Sequence, residues 1–338
     1  MKAIVCKEPG QLESIEIPIP KRREGETLLK IKSIGICGTD LHAYAGNQVY
    51  FTYPRILGHE ISAEIAELDP DAPDELSIGQ QVVVIPYLHC GTCHACKIGR
   101  TNCCSTLKVF GVHIDGCMQE FFSCPTDLLL PAAHLSSHEM AIVEPLCIGA
   151  HAVRRAKVSA GDCVVVSGCG PIGAGIVWSA KAAGAKVIAL DLDQRRLSFC
   201  VKELGADHAI TAGQDVEEVL KEYTNGRMAQ VVFDATGIKK PMEKAIDYLS
   251  PGGTYVLVGL HRGDLSFSHP SIHGRELTIM CSRNATKGDF LHVIEQMKSP
   301  GFPSNQYITH AVPSPDIVDQ FGTWRESSNH IMKVITDW

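Results

Sequence analysis

The sequence predicts an α/β protein of two domains, a β-rich barrel-like domain followed by a doubly wound parallel sheet. Three observations carry this. About the first 145 residues are short β-type runs separated by Gly, Pro and Asp turns. From Cys163 onward, strand-type and helix-type patterns alternate, as βα units do. Between the first such strand and the first such helix stands Gly168-Cys169-Gly170-Pro171-Ile172-Gly173, a G-x-G-x-x-G turn.

The elements follow in order. TLLKIKSIGI, HEISAEIAEL and QQVVVIPY are the clearest early strands, the last entered through Gly79-Gln80. CVVVSG is a compact apolar strand. In PIGAGIVWSAKAAGA, Ile172, Ile176, Ala180 and Ala183 recur at helical spacing. KVIALD is the next strand and DQRRLSFCVKELGA the next helix. HAIT, VVFDATG, TYVLVG and LTIMCS are further strands, with a long loop expected between the last two. The tail from about Asn284 has a mixed pattern and is expected to return to the first domain. The expected division is therefore 1–147 with 285–338, enclosing a cysteine lobe at about 88–106, and 148–284.

Composition sets limits. The chain has 338 residues, 45% of them hydrophobic, enough for two cores. Its net charge of −7 is scattered and forms no basic stripe, which argues against a nucleic-acid or anionic-membrane partner. The start, MKAIVCKEPGQLESIEIPIP, has no apolar leader, and no run is long enough to span a bilayer. The expectation is a soluble cytoplasmic protein. Its 14 cysteines are then expected as thiols. Cys6, Cys163, Cys200 and Cys281 lie in apolar runs and read as small buried hydrophobes.

In the glycine turn, Gly168 permits the bend, Gly170 lets a pyrophosphate approach the backbone, and Gly173 lets helix and strand pack closely. The phosphates of a dinucleotide would sit at the helix N-terminus, against Pro171 and Ile172. KVIALD ends in Asp191, about 20 residues on, where an acid binds ribose hydroxyls and repels a 2′-phosphate, so NAD is expected over NADP. Arg195 and Arg196 pull the other way. Both read as a solvated helix face, with Arg196 kept as a cofactor contact.

HCGTCHACKIGRTNCC supplies Cys90, Cys93, Cys96 and either Cys103 or Cys104. Four thiolates bind zinc tetrahedrally and leave no open position, so such a site is structural. A C-x-x-C redox pair would need a thioredoxin-like unit, which the sequence lacks. His89 and His94 read as exposed. A second set is spread along the chain: Cys37 in GICGTDLHAY, His59 and Glu60 in ILGHEISAEI, and Glu144 in AIVEPLCIGAHAV. One thiolate, one imidazole and one carboxylate make a three-ligand zinc site with a fourth position open.

GICGTD, GHE, the cysteine lobe, the VEP segment and GCGPIG, in this order and separation, resemble the zinc-dependent medium-chain dehydrogenase/reductase family over nearly the whole chain. Within it they look like the polyol and sugar-acid branch of sorbitol (L-iditol), threonine and L-galactonate dehydrogenases. GNQVYFTYPRILGHE, HAVRRA and CSRNAT are most similar to the L-galactonate type. The resemblance implies a GroES-like catalytic domain and a Rossmann NAD-binding domain. It implies catalytic zinc on Cys37, His59 and a carboxylate, with Glu60 ahead of Glu144, and structural zinc on Cys90, Cys93, Cys96 and Cys104. It implies that zinc lowers the pKa of a substrate hydroxyl and that hydride passes to the nicotinamide. Thr39 would accept the hydroxyl proton and hand it toward the cofactor ribose and His42. Asp40 would orient a ligand. Thr236, Val258 and Gly259 would join the cofactor site, and Arg283 would face the substrate as a hydroxyl or carboxylate partner. The partner is a small polyol or sugar acid, and the chain is a dimer or tetramer by analogy. L-threonine 3-dehydrogenase is the alternative within the class. An inactive zinc- and nucleotide-binding protein is the alternative outside it, disfavoured because no ligand or loop glycine is missing.

Overall fold

The computed structural model describes residues 1–213, 215–298, 301–326 and 331–338. The chain forms two compact units, Met1–Glu144 with Thr286–Trp338, and Pro145–Ala285.

The first unit is built around the strand Glu26–Ile36, buried along nearly its whole length because both of its faces are covered. It pairs antiparallel with Glu60–Glu67 on one side and with Lys333–Asp337 on the other. Gln81–Val84 and Leu129–Pro131 continue the sheet beyond Glu60–Glu67, and Ile308–Pro313 adds to Lys333–Asp337 in parallel. With Phe121–Pro125 on the near end of Glu26–Ile36, this is a seven-stranded sheet among the described residues. The register sets Gly35 against Glu60 and Ile36 against Val334. Glu60, the end of the central strand and Lys333 therefore lie side by side.

The tail contributes two strands to this sheet and the helices Lys287–Gln296 and Ile317–Glu326. The latter docks through Phe321, fully buried with its ring 5.3 Å from Tyr44 and 5.5 Å from Trp324.

In the second unit, six parallel strands stand in the order His208–Thr211, Lys186–Asp191, Cys163–Ser167, Ala229–Asp234, Leu249–Leu257, Thr278–Cys281. Counted along the chain this is 3-2-1-4-5-6, the dinucleotide-binding order, which reverses direction between the first and fourth strands. One face buries Val165, Ile188, Ile210, Val232 and Tyr255. These are β-branched or aromatic residues suited to a covered parallel strand.

Two expectations need correction. The connection between the last two strands is not all loop, because HPSIHG forms a helix over His269–Gly274 with Pro270 in its first turn. Proline fits there because its missing N–H has no helical partner to lose. Cys281 is exposed and Cys163 only half-buried, whereas Cys6 and Cys200 are buried as expected. Thr278–Cys281 is the last strand of its sheet among the described residues, with Leu249–Leu257 on its inner side.

Phe321→Ala is expected to cost about 3–5 kcal/mol, the usual loss for deleting a buried aromatic ring. Chemical denaturation of the two proteins checks it.

Candidate active site

In the first unit, Cys37 directly follows the central strand and caps the helix Gly38–Tyr44. Its Sγ accepts from the Thr39 amide at 3.4 Å, and its own amide donates to Asp40 Oδ2 at 2.9 Å. This reciprocal cap fixes the thiol direction. Asp40 is fully buried, and its other oxygen accepts from the Gly58 amide at 3.4 Å and lies 3.7 Å from His59 Nδ1. Burial pushes the Asp40 carboxyl above the ordinary aspartate value, against the pull of His59 and two backbone amides.

His59 is buried and its Nδ1 has no hydrogen-bond partner. Burial alone would lower its pKa, yet Asp40, Cys37 and Glu144 carry it well above the ordinary histidine value. The surroundings therefore favour a cation at this point. One ligand atom each from Cys37, His59 and Glu60 falls within 4.8 Å of the others. A thiol, an imidazole and a carboxylate gathered this closely, with an orphaned ring nitrogen, fit a zinc ion.

The two carboxylates differ in their partners. Both oxygens of Glu60 accept from Lys333 Nζ at 2.7 Å, and both residues are buried. Glu144, also buried, accepts from the Tyr87 hydroxyl. Burial, reinforced by Glu60, raises the Glu144 carboxyl to about 7. The close cluster thus contains Glu60 and not Glu144. Gly35, opposite Glu60, is required by space, since a Cβ there would lie 2.0 Å from Glu60 Oε2 and 2.9 Å from its Cβ. Thr39 is half-buried and His42 exposed, three residues apart on one short helix and hence on the same side of it.

The cysteine lobe places the sulfurs of Cys90, Cys93, Cys96 and Cys104 within 4.8 Å of one another. Cys93–Cys96 and Cys90–Cys104 are each 3.5 Å apart. Tetrahedral Zn–S bonds of ~2.3 Å put neighbouring sulfurs roughly 3.8 Å apart, so the set fits zinc. Cys103 is exposed and outside the cluster. Thr92, the Cys93 amide and Cys104 pull the Cys90 thiol down to about 5, and the Cys96 amide heads the donors that bring Cys93 to about 7. From residue 89 to 106 only Asn102 and Cys104 are buried, so the lobe has no apolar core of its own. His89 and His94 are exposed, as expected.

In the second unit, Gly168 turns the chain with φ +89°, and a Cβ on Gly173 would lie 1.8 Å from Gly168 O. At Gly170 a Cβ would meet only Arg196, at 3.7 Å, so the backbone there is open to a ligand. Gly170 begins the helix Pro171–Ala182 with no side-chain cap, leaving its first amides for an anion. Asp191 accepts from the amides of Cys169 at 2.6 Å and Asp193 at 2.8 Å, which ties the glycine turn to the next strand. Arg195 is paired with Asp193 at 2.8 Å. Thr236 follows the fourth strand and lies against Gly168 at the point where the strand order reverses. Val258 and Gly259 donate their amides to Asp234 O, and Thr236 and Gly237 donate to the Asp234 carboxylate. Arg283 is exposed on the segment after the last strand.

Residues 23–134 match the alcohol dehydrogenase GroES-like domain, and residues 171–299 the zinc-binding dehydrogenase domain. The chain is 43% identical to L-galactonate-5-dehydrogenase of Escherichia coli K12 over 95% of its own length and 94% of the relative's. The chain belongs to the zinc-type medium-chain dehydrogenases, polyol branch. This dehydrogenase is also 34% identical to sorbitol dehydrogenase of Bacillus subtilis, over 82% of this chain and 81% of that one. Its fold matches a solved alcohol dehydrogenase (rspB) from E. coli CFT073, complexed with NADH. The TM-score there is 0.93, with 30% identity over 100% of this chain and 99% of that one. The dehydrogenase is an oxidoreductase of α/β architecture, GroES-like in its first unit and Rossmann in its second.

Sequence reasoning missed Lys333, Tyr87 and Asp234. A lysine inside the apolar run IMKVITDW and an aspartate ending VVFD were the available signals. Each is a buried charge at the end of a strand, where it needs a partner.

Gly35→Ala is expected to displace Glu60, costing about 1–3 kcal/mol and lowering bound zinc, read by denaturation and elemental analysis. Cys93→Ser is expected to remove one zinc equivalent and lower Tm by about 5–10 °C, with nucleotide binding retained. Unchanged zinc content and Tm would defeat the structural-site assignment.

Proposed function

We propose that the dehydrogenase oxidises a secondary hydroxyl of a sugar acid of the L-galactonate type to a ketone, with zinc and NAD as cofactors. The observation that carries this is the 43% identity to L-galactonate-5-dehydrogenase over nearly all of both chains. Cys37, His59 and Glu60 are the catalytic zinc ligands in this reading, and Cys90, Cys93, Cys96 and Cys104 hold the structural ion. When bound, zinc would supply Lewis acidity toward the substrate hydroxyl and NAD would supply a hydride acceptor.

The rest falls to the chain itself. Thr39 Oγ1 takes the hydroxyl proton and His42 passes it on, a task an imidazole can perform because one ring nitrogen accepts a proton as the other releases one. Asp40 holds the Cys37 turn and His59 in register, so the donors converge without reorganising. Gly168, Gly170 and Gly173 admit the pyrophosphate to the uncapped helix start. Asp191 accepts the ribose hydroxyls, and Arg196, Thr236, Val258 and Gly259 complete the cofactor site. Arg283 pairs with the substrate carboxylate. The reading carries with it a cytoplasmic location and a homo-oligomer, dimeric or tetrameric.

NADH formation at 340 nm over L-galactonate, neutral polyols and L-threonine, with and without a chelator, tests the proposal. Turnover of L-galactonate, lost on chelation, is expected. Arg283→Ala is expected to raise KM for the acid on the order of 10–100-fold and to leave that for any neutral polyol nearly unchanged. Turnover of L-threonine alone, or of neutral polyols alone, would overturn the sugar-acid assignment.

A further inference from the structure

A buried lysine is costly unless its charge is met and its three donors are used. Lys333 is 2% exposed and uses all three: one to each oxygen of Glu60, at 2.7 Å, and one to Ile36 O, at 3.1 Å. Its backbone is locked in the strand beside the central one, and Glu60 is confined on its other side by Gly35. The ammonium therefore has no route to water and no slack in its donor set. Yet Glu60 also stands within 4.8 Å of the Cys37 and His59 donors. One carboxylate is thus claimed from two directions, by a fixed ammonium and by the metal position.

We propose that Lys333 is a positioning residue that acts as the standing counter-ion of Glu60, holding the carboxylate in place when zinc is absent and competing with zinc for it when zinc is bound. The proposal rests on the reading of Cys37, His59 and Glu60 as the catalytic zinc ligands. Two consequences have opposite signs. Without Lys333, the zinc-stripped protein contains a buried carboxylate with no counter-charge, which breaking a buried pair makes strongly unfavourable. Zinc then supplies the missing charge, so the metal binds more tightly and stabilises the protein more. A lysine that merely braced Glu60 toward the metal would give weaker binding on its loss.

The test uses full-length Lys333→Met and the double variant Lys333→Met/Glu60→Gln beside the unsubstituted protein. Tm is measured zinc-stripped and zinc-loaded, and zinc affinity by competition with a chromophoric chelator. For Lys333→Met, the stripped protein is expected to melt about 5 °C or more below the unsubstituted one. The gap between stripped and loaded forms is expected to widen, and zinc to bind roughly tenfold more tightly. The double variant is expected to recover most of the stripped Tm, since a neutral pair of similar shape needs no counter-charge. A Lys333→Met protein that fails to fold where the double variant folds also supports the counter-ion role. Equal shifts of the two Tm values, or weaker zinc binding in Lys333→Met, would overturn it. If Cys37→Ser keeps both zinc equivalents at full affinity, the ligand assignment itself fails, a result distinct from a failure of Lys333 alone.

Discussion

One buried carboxylate, Asp40, holds the cluster of Cys37, His59 and Glu60 in register. Its two oxygens reach the Cys37 amide, the Gly58 amide and the flank of His59. These groups belong to two segments that meet only because the strands Glu26–Ile36 and Glu60–Glu67 are paired. Remove Asp40, and the helix start at Cys37 loses its cap while the turn into Glu60–Glu67 loses its anchor. The thiol would then be aimed by the Thr39 amide alone, and the imidazole would lose the carboxylate on its flank.

Around that anchor, the two glutamates near His59 have separate environments. Glu60 is hydrogen-bonded to an ammonium, whereas Glu144 is hydrogen-bonded to a phenol, and burial pushes its carboxyl up. Two acids of the same type are thus set in different surroundings, Glu60 against the Lys333 ammonium and Glu144 where burial lifts its carboxyl to about 7. Sequence alone could not make this distinction, since neither Lys333 nor Tyr87 is near its glutamate in the chain.

This marks the boundary of what was legible. The glycine turn was readable because its three roles depend on local backbone: a bend at Gly168, open approach at Gly170, a contact at Gly173 with the turn itself. The cysteine lobe was readable because its ligands lie within one short loop. Thr236, Val258 and Gly259 were placed by resemblance, while the acid that pins their loops, Asp234, went unread because it looked like an ordinary strand end. The helix at His269–Gly274 was missed because Pro and Gly near both of its ends mimic a loop, and one turn is too short to show a period. Cys281 was misplaced because an apolar run does not reveal which strand of a sheet will be outermost.

The central strand of the first unit is flanked on one side by residues near position 60 and on the other by residues near position 335. Between them in the chain lies the whole of Pro145–Ala285, which is a compact unit of its own. A ribosome therefore exposes Cys37, His59 and Glu60 long before it makes Lys333. The second unit is a continuous stretch able to condense as soon as it emerges. The sheet of the first unit must wait with one side open until Lys333–Asp337 arrives. During that interval Glu60 has no ammonium beside it, and the central strand has an open edge over residues 33–36, able to pair with another chain. The order of synthesis thus sets the order of maturation: the nucleotide fold first, the metal pocket last.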